Sequence, residues 1–204
     1  MLDPKIFLIG FNKCGSRSLH NWFASGGLSS VHFMDGKLAR VLTRNKRDGL
    51  PPFAGMKERQ CYSDVYFPEN SGRVLEGGRE FAYLHQHHPD AYFILNTRNE
   101  DSWILSRFRH NGGRLARKYQ RLLGGVSLEA VEAEWRRLWK LHHEEVRAFF
   151  TGPRAGRFAE FDIETDAPAD LAAFLSPDFD LDPAAFPHVG ASRADAVDIR
   201  ATDS

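Results

Sequence analysis

Only two of the 204 residues are cysteine, Cys14 and Cys61. Two isolated thiols make neither a disulfide framework nor a zinc-ligand spacing. No run of 18 apolar residues occurs, so no membrane-spanning helix is expected. An excess of one charge is also missing, with 27 basic side chains against 27 acidic ones. A generic nucleic-acid binder usually carries net positive charge, so no nucleic-acid partner is expected. The opening residues, MLDPKIFLIGFNKCG, lack a basic leader and a small-residue cleavage site. The expected location is cytoplasmic.

What is present is an ordinary globular composition, 42% apolar and 26% charged. The length suits one domain, expected over residues 1–194. A short tail at 195–204 is poorly periodic, and its composition fits disorder.

Residues 5–10 (KIFLIG) and 91–96 (AYFILN) are apolar at consecutive positions, the pattern of strands buried on both faces. Shorter strands are expected at 30–33 and 157–163. Leu19, Trp22 and Phe23 fall at i, i+3, i+4 and predict a helix closed by Gly26 and Gly27. Further helices are expected at Leu38–Leu42, 74–88, 101–110, 127–150 and 169–175. Residues 45–73 are rich in Pro, Gly, Asn and charge, and predict a long irregular connection. Strands alternating with helices predict an α/β fold. It would have three α/β/α layers, a mostly parallel central sheet and a P-loop NTPase-like arrangement. Such sheets bind ligands beyond the carboxyl ends of their strands.

The first such loop reads Gly10-Phe-Asn-Lys-Cys-Gly15, between a strand and a helix. Backbone N–H groups and a helix N-terminus there point at an anion. An NTPase would place Lys and Ser/Thr after the second glycine, for the terminal phosphates and Mg²⁺. Here those positions are Ser16 and Arg17, and the lysine sits inside the loop as Lys13. The loop therefore suits a phosphate-like anion held by protein cations, and no metal is expected. A cysteine phosphatase would need arginine six positions after Cys14, where His20 stands.

A second anion site is expected where the strand ending Asn96-Thr97 runs into Arg98. The planar guanidinium fork suits a phosphate, and Ser106 could add a hydroxyl from the next helix. The competing reading pairs Arg98 with Glu100 or Asp101.

Together, Gly10-Phe-Asn-Lys13-Cys-Gly15-Ser16-Arg17-Ser18-Leu19 and Phe93-Ile-Leu-Asn-Thr-Arg98 with Ser106 resemble the two signatures of PAPS-dependent sulfotransferases. PAPS is 3′-phosphoadenosine 5′-phosphosulfate. Compact bacterial members of that P-loop-type family are similar. The resemblance implies transfer of a sulfuryl group from PAPS to a hydroxyl or amine, on a small-molecule or carbohydrate acceptor. Lys13 would stabilise charge on the bridging oxygen. Asn12, Lys13, Cys14, Gly15, Ser16, Arg17 and Ser18 would form the 5′-phosphate loop, and Arg98 and Ser106 would hold the 3′-phosphate. A late basic loop often closes that site in the family, and Arg193 is the candidate here.

Ser30-Val-His32-Phe-Met-Asp35 resembles the Glu-x-His-Phe-Phe-Asp segment of heparan sulfate sulfotransferases, with Ser30 where those enzymes carry a glutamate base. His32 is then the first choice of base, since a near-neutral imidazole accepts a proton at pH 7. Asp35 would orient it or bind acceptor, and Asp64 is the second candidate. Two rivals stand beside this reading. One is a small-molecule P-loop kinase using ATP, and the other an inactive nucleotide-binding protein. Residues 107–118 form a basic stretch that would be a solvated face or attract an anion. His142 and His143 are expected at the polar boundary of a helix.

Overall fold

A computed structural model describes residues 4–187. Arg193 and the expected boundary at 194/195 lie outside the described residues.

The chain opens with β1 (Ile6–Leu8), α1 (Ser16–Ser25), β2 (Ser30–His32) and α2 (Lys37–Arg47). β3 (Cys61–Ser63), β4 (Tyr66–Pro68), β5 (Val74–Glu76) and α3 (Phe81–His87) follow. Then come β6 (Tyr92–Thr97), α4 (Glu100–Arg109), α5 (Arg114–Leu122) and α6 (Leu128–Phe149), with β7 (Phe158–Asp162) and α7 (Pro168–Leu175) last. Five strands make a sheet in the order β2-β3-β1-β6-β7. Every pairing in it is parallel. β4 and β5 form a separate antiparallel hairpin.

Parallel strands bury both faces, and the alternation along β1 and β6 shows it. Ile6, Leu8, Tyr92 and Ile94 pack with Leu19, Trp22, Phe23, Leu171 and Leu175 on the α1/α7 side. Phe7, Ile9, Phe93 and Leu95 pack with Leu38, Leu42, Leu84, Val146 and Phe150 on the α2/α3/α6 side. Burying side chains such as Phe7, Phe23 and Phe93 contributes about 1.5–3 kcal/mol each. A third cluster extends beyond the strand ends. There Phe11, Trp103, Tyr119, Trp135 and Trp139 join α4, α5 and α6.

β1 lies inside the sheet, with β3 on one side and β6 on the other. The loop leaving β1 therefore sits at the topological switch point, where open α/β sheets place their ligands. Among the described residues, no helix is long and apolar enough to cross a membrane.

Three expectations need correction. Residues 45–73 are not wholly irregular, since β3 and β4 lie within them. Residues 74–88 are not one helix. β5 occupies Val74–Glu76, and a short 3-10 turn over Gly77–Glu80 leads into α3. Residues 74–76 form a strand because they pair with β4, and the turn after them is closely packed at two glycines. A Cβ on Gly77 would lie 2.3 Å from the Val65 side chain, and one on Gly78 2.5 Å from the Ile9 carbonyl oxygen. Finally, His142 and His143 are buried in α6 rather than at a polar boundary. His142 Nε2 lies 2.7 Å from the Ile9 carbonyl and His143 Nε2 2.9 Å from the Thr97 hydroxyl, so each ring is tied to a sheet strand end.

Candidate functional site

The loop at residues 10–15 is held from three sides. Asn96, near the end of β6, accepts from Gly10 N at Oδ1 (3.0 Å) and donates from Nδ2 to the Cys14 carbonyl (2.9 Å). Trp103 Nε1 in α4 donates to the Asn12 carbonyl at 3.0 Å. Arg98 Nη1 donates to the Lys13 carbonyl at 3.3 Å. Gly10 permits the clamp, because a Cβ there would lie 1.8 Å from the Asn96 carbonyl oxygen.

The carbonyls of Asn12, Lys13 and Cys14 are thus spent, while the N–H groups of the same residues are not. Among the described residues no carbonyl or side chain accepts from the N–H groups of Asn12, Lys13, Cys14 or Gly15. Lys13 and Gly15 take positive φ values of 73° and 72°. That alternation turns successive N–H groups toward a common concavity. α1 starts directly after Gly15 with no side-chain cap, so the N–H groups of its first turn add to the cradle. The Cys14 side chain faces the core, where burial pushes its thiol pKa well up. Only its backbone is available to a ligand.

Lys13, partly buried, has its pKa lowered. Burial is the main cause, with Asp64 acting against it and Arg17 and Arg98 adding to it. Arg17 is exposed on the first turn of α1, Ser16 and Ser18 are buried beside it, and the buried Asn12 Oδ1 has no partner.

At the start of α1, His32 from the end of β2 lies 3.2 Å from Ser16 Oγ through Nε2. The same nitrogen is 3.5 Å from Asp64 Oδ2. Asp64 follows β3 in the left-handed region, at φ 51°. Parallel pairing of His32 with Ser63 places both side chains at one sheet edge. Burial first, then His20 and Arg17, drives the His32 imidazole down to about 4. Burial pushes the Asp64 carboxyl up to about 6 against the pull of Lys13, Arg17 and Arg107. At neutral pH the imidazole is neutral and a weak base, and the carboxylate is ionised and the stronger one. Asp64 Oδ1 is buried without a partner.

The other sequence candidates fall less centrally. Asp64, not Asp35, stands beside His32. Asp35 is exposed at φ 50°, and its carbonyl rather than its carboxylate accepts from Arg40, at 2.8 Å. Ser106 is half-buried on α4 and bonds to nothing among the described residues. Ser30 lies with its Oγ 2.7 Å from His20 Nδ1.

Arg98 pairs with neither Glu100 nor Asp101, which both bind Arg136. Its partner is Glu164, in the turn after β7. The Asn99 side chain caps α4 by accepting from Asp101 N and Ser102 N.

Arg107 does not belong to a solvated face. It is 1% exposed, with its guanidinium carbon 4.8 Å and 4.5 Å from the ring centres of Trp103 and Trp135. Its Nη2 donates to the Tyr119 hydroxyl at 2.8 Å and lies 4.0 Å from Glu76 Oε1. Burial pushes Glu76 up to about 7 against the pull of Arg107. Sequence reasoning missed Asn96, Glu164 and Glu76. Asn96 and Glu76 lie at strand ends and Glu164 in the turn just past one, and those positions are the available signal.

A solved structure of a sulfotransferase from Alicyclobacillus acidocaldarius is similar to this chain at 18% identity. The match covers 90% of this chain and 85% of that one, with a TM-score of 0.49. No family model and no curated protein matches the sequence.

Proposed function

We propose that the chain is a sulfotransferase that uses PAPS as donor, acts in the cytosol and passes the sulfuryl group to a hydroxyl or amine, with a carbohydrate as a candidate acceptor. One observation carries the reading: the Arg98 guanidinium touches the Lys13 loop. A single nucleotide with phosphates at both 5′ and 3′ positions would engage both.

The 5′-phosphate would lie on the N–H groups of residues 12–16, and the 3′-phosphate on Arg98, with Ser106 as a further donor. The acceptor oxygen or nitrogen attacks sulfur in line. Its bond to sulfur forms as the bond from sulfur to the bridging oxygen breaks. That oxygen keeps the electron pair, on the 5′-phosphate, beside the Lys13 ammonium. The acceptor proton goes to the Asp64 carboxylate, whose pKa of about 6 lets it accept and release a proton near neutrality. His32 faces Asp64 as a neutral ring and orients it.

The test is calorimetric titration with adenosine 3′,5′-bisphosphate, free of metal, on wild type and Arg98→Ala. Binding that collapses in the variant supports the proposal. Absent binding, with ATP–Mg²⁺ bound instead, favours a kinase.

A further inference from the structure

Arg98 does not face the loop unaided. Its Nε donates to Glu164 Oε1 at 3.0 Å, and Nη2 donates to the same oxygen. The other oxygen, Oε2, accepts from Asn99 N at 3.0 Å. Burial raises the Glu164 pKa, but the bonds from Arg98 and Asn99 outweigh it and hold the group ionised, below the usual carboxylate range.

The turn that presents Glu164 is itself braced. Glu164 N donates to Asp162 Oδ1 at 2.8 Å, and Asp162 N to Asp166 Oδ2 at 2.8 Å. Its neighbour Ile163 packs on the phosphate loop so closely that a Cβ on Gly15 would meet the Ile163 side chain at 2.5 Å. The turn after β7, the start of α4 and the loop after β1 thus meet around one guanidinium.

A guanidinium has five N–H donors. Nε and one hydrogen of Nη2 go to Glu164, and one of Nη1 goes to Lys13. One N–H remains on each terminal nitrogen, a pair suited to two phosphate oxygens. A free arginine side chain would have to give up its rotamer freedom to present that pair.

We infer that Glu164 is a positioning residue for the 3′-phosphate: it fixes the Nε–Nη2 edge of Arg98 so that the remaining donors are pre-aimed at the ligand. The inference rests on the donor reading above. It assigns the selectivity between 3′-phosphorylated and unphosphorylated nucleotides to a residue that touches neither phosphate.

The experiment titrates adenosine 3′,5′-bisphosphate and adenosine 5′-monophosphate into wild type, Glu164→Ala, Glu164→Gln, Arg98→Ala and the Arg98→Ala/Glu164→Ala double variant. Glu164→Ala should weaken bisphosphate binding roughly tenfold and leave monophosphate binding within about twofold. Glu164→Gln keeps an acceptor for Arg98 and Asn99, and should recover most of the loss. The double variant should bind no more weakly than Arg98→Ala. Bisphosphate binding by Glu164→Ala that matches or exceeds wild type overturns the inference and marks Glu164 as a competitor for the site, with the donor reading intact. A wild type that binds both nucleotides equally overturns the donor reading and the inference with it.

Discussion

The Nη1 of Arg98 donates to the carbonyl of Lys13 at 3.3 Å, joining the end of β6 to the loop after β1. The two residues are 85 positions apart. They meet because β1 and β6 pair in parallel, with Leu8 opposite Ile94, so both strands end at one edge.

Lys13 is expected to act on the transition state more than on nucleotide affinity. Lys13→Gln should lower the rate of sulfuryl transfer by roughly 10²–10³-fold. Binding of adenosine 3′,5′-bisphosphate should weaken by less than about tenfold, since the loop N–H groups remain. Rate and calorimetric data on one preparation check the split.

Asp64 as base predicts a rate that rises with pH and levels off above about 6, the pKa of its buried carboxyl. Asp64→Asn should cost roughly 10²–10⁴-fold and flatten that limb. A pH–rate profile of both proteins checks this.

The same carboxyl has a consequence for stability, opposite in sign to that of an ion-paired aspartate. Its folded pKa of about 6 lies above the ordinary value of 3.8, so the folded state binds the proton more tightly. Stability lost to Asp64 therefore grows as pH rises from about 4 to 6, then stays constant. Asp64→Asn should be more stable than wild type by about 1–3 kcal/mol at pH 7, with the difference vanishing below pH 4. His32 acts the other way, since its folded pKa of about 4 makes protonation costly as pH falls below 6.5. Denaturant melts at several pH values, compared between variant and wild type, isolate the Asp64 part.

Much of this arrangement is readable from residue order, and the unread parts have physical reasons. β1 and β6 announce themselves because parallel central strands are apolar at every position. Lys13 and Arg98 follow, since each stands just past such a strand. β3 does not, because Cys61-Tyr62-Ser63 carries no pattern of its own. It is a strand because β1 and β2 flank it. α5 does carry a helical pattern, with Leu115, Tyr119 and Leu122 at i, i+4, i+7, but the arginines and lysine between them make the segment read as a basic stretch instead. Arg107 looks solvated in sequence, and only the ring of Trp103, Trp135 and Tyr119 makes an interior place for its charge. An unperturbed imidazole makes His32 the expected base; burial lowers that ring to about 4 and raises the Asp64 carboxyl to about 6, which is why the proposed proton acceptor is Asp64.

Arg107 should be a structural residue of high cost. Arg107→Ala leaves Glu76 and the Tyr119 hydroxyl without their buried cation and opens a cavity between aromatic rings. A loss of about 3–5 kcal/mol is expected by denaturant unfolding.

Gly10→Ala tests the clamp on the loop. The added methyl would lie 1.8 Å from the Asn96 carbonyl oxygen, so β1 and β6 must separate locally. A loss of roughly 1–3 kcal/mol is expected, together with weakened bisphosphate binding.

The most direct measurement is a crystal structure of the chain with adenosine 3′,5′-bisphosphate bound. The 5′-phosphate is expected on the N–H groups of residues 12–16 and the 3′-phosphate on Arg98, with the Arg98–Glu164 contact retained. A nucleotide bound elsewhere, or one whose 3′-phosphate points away from Arg98, would contradict it.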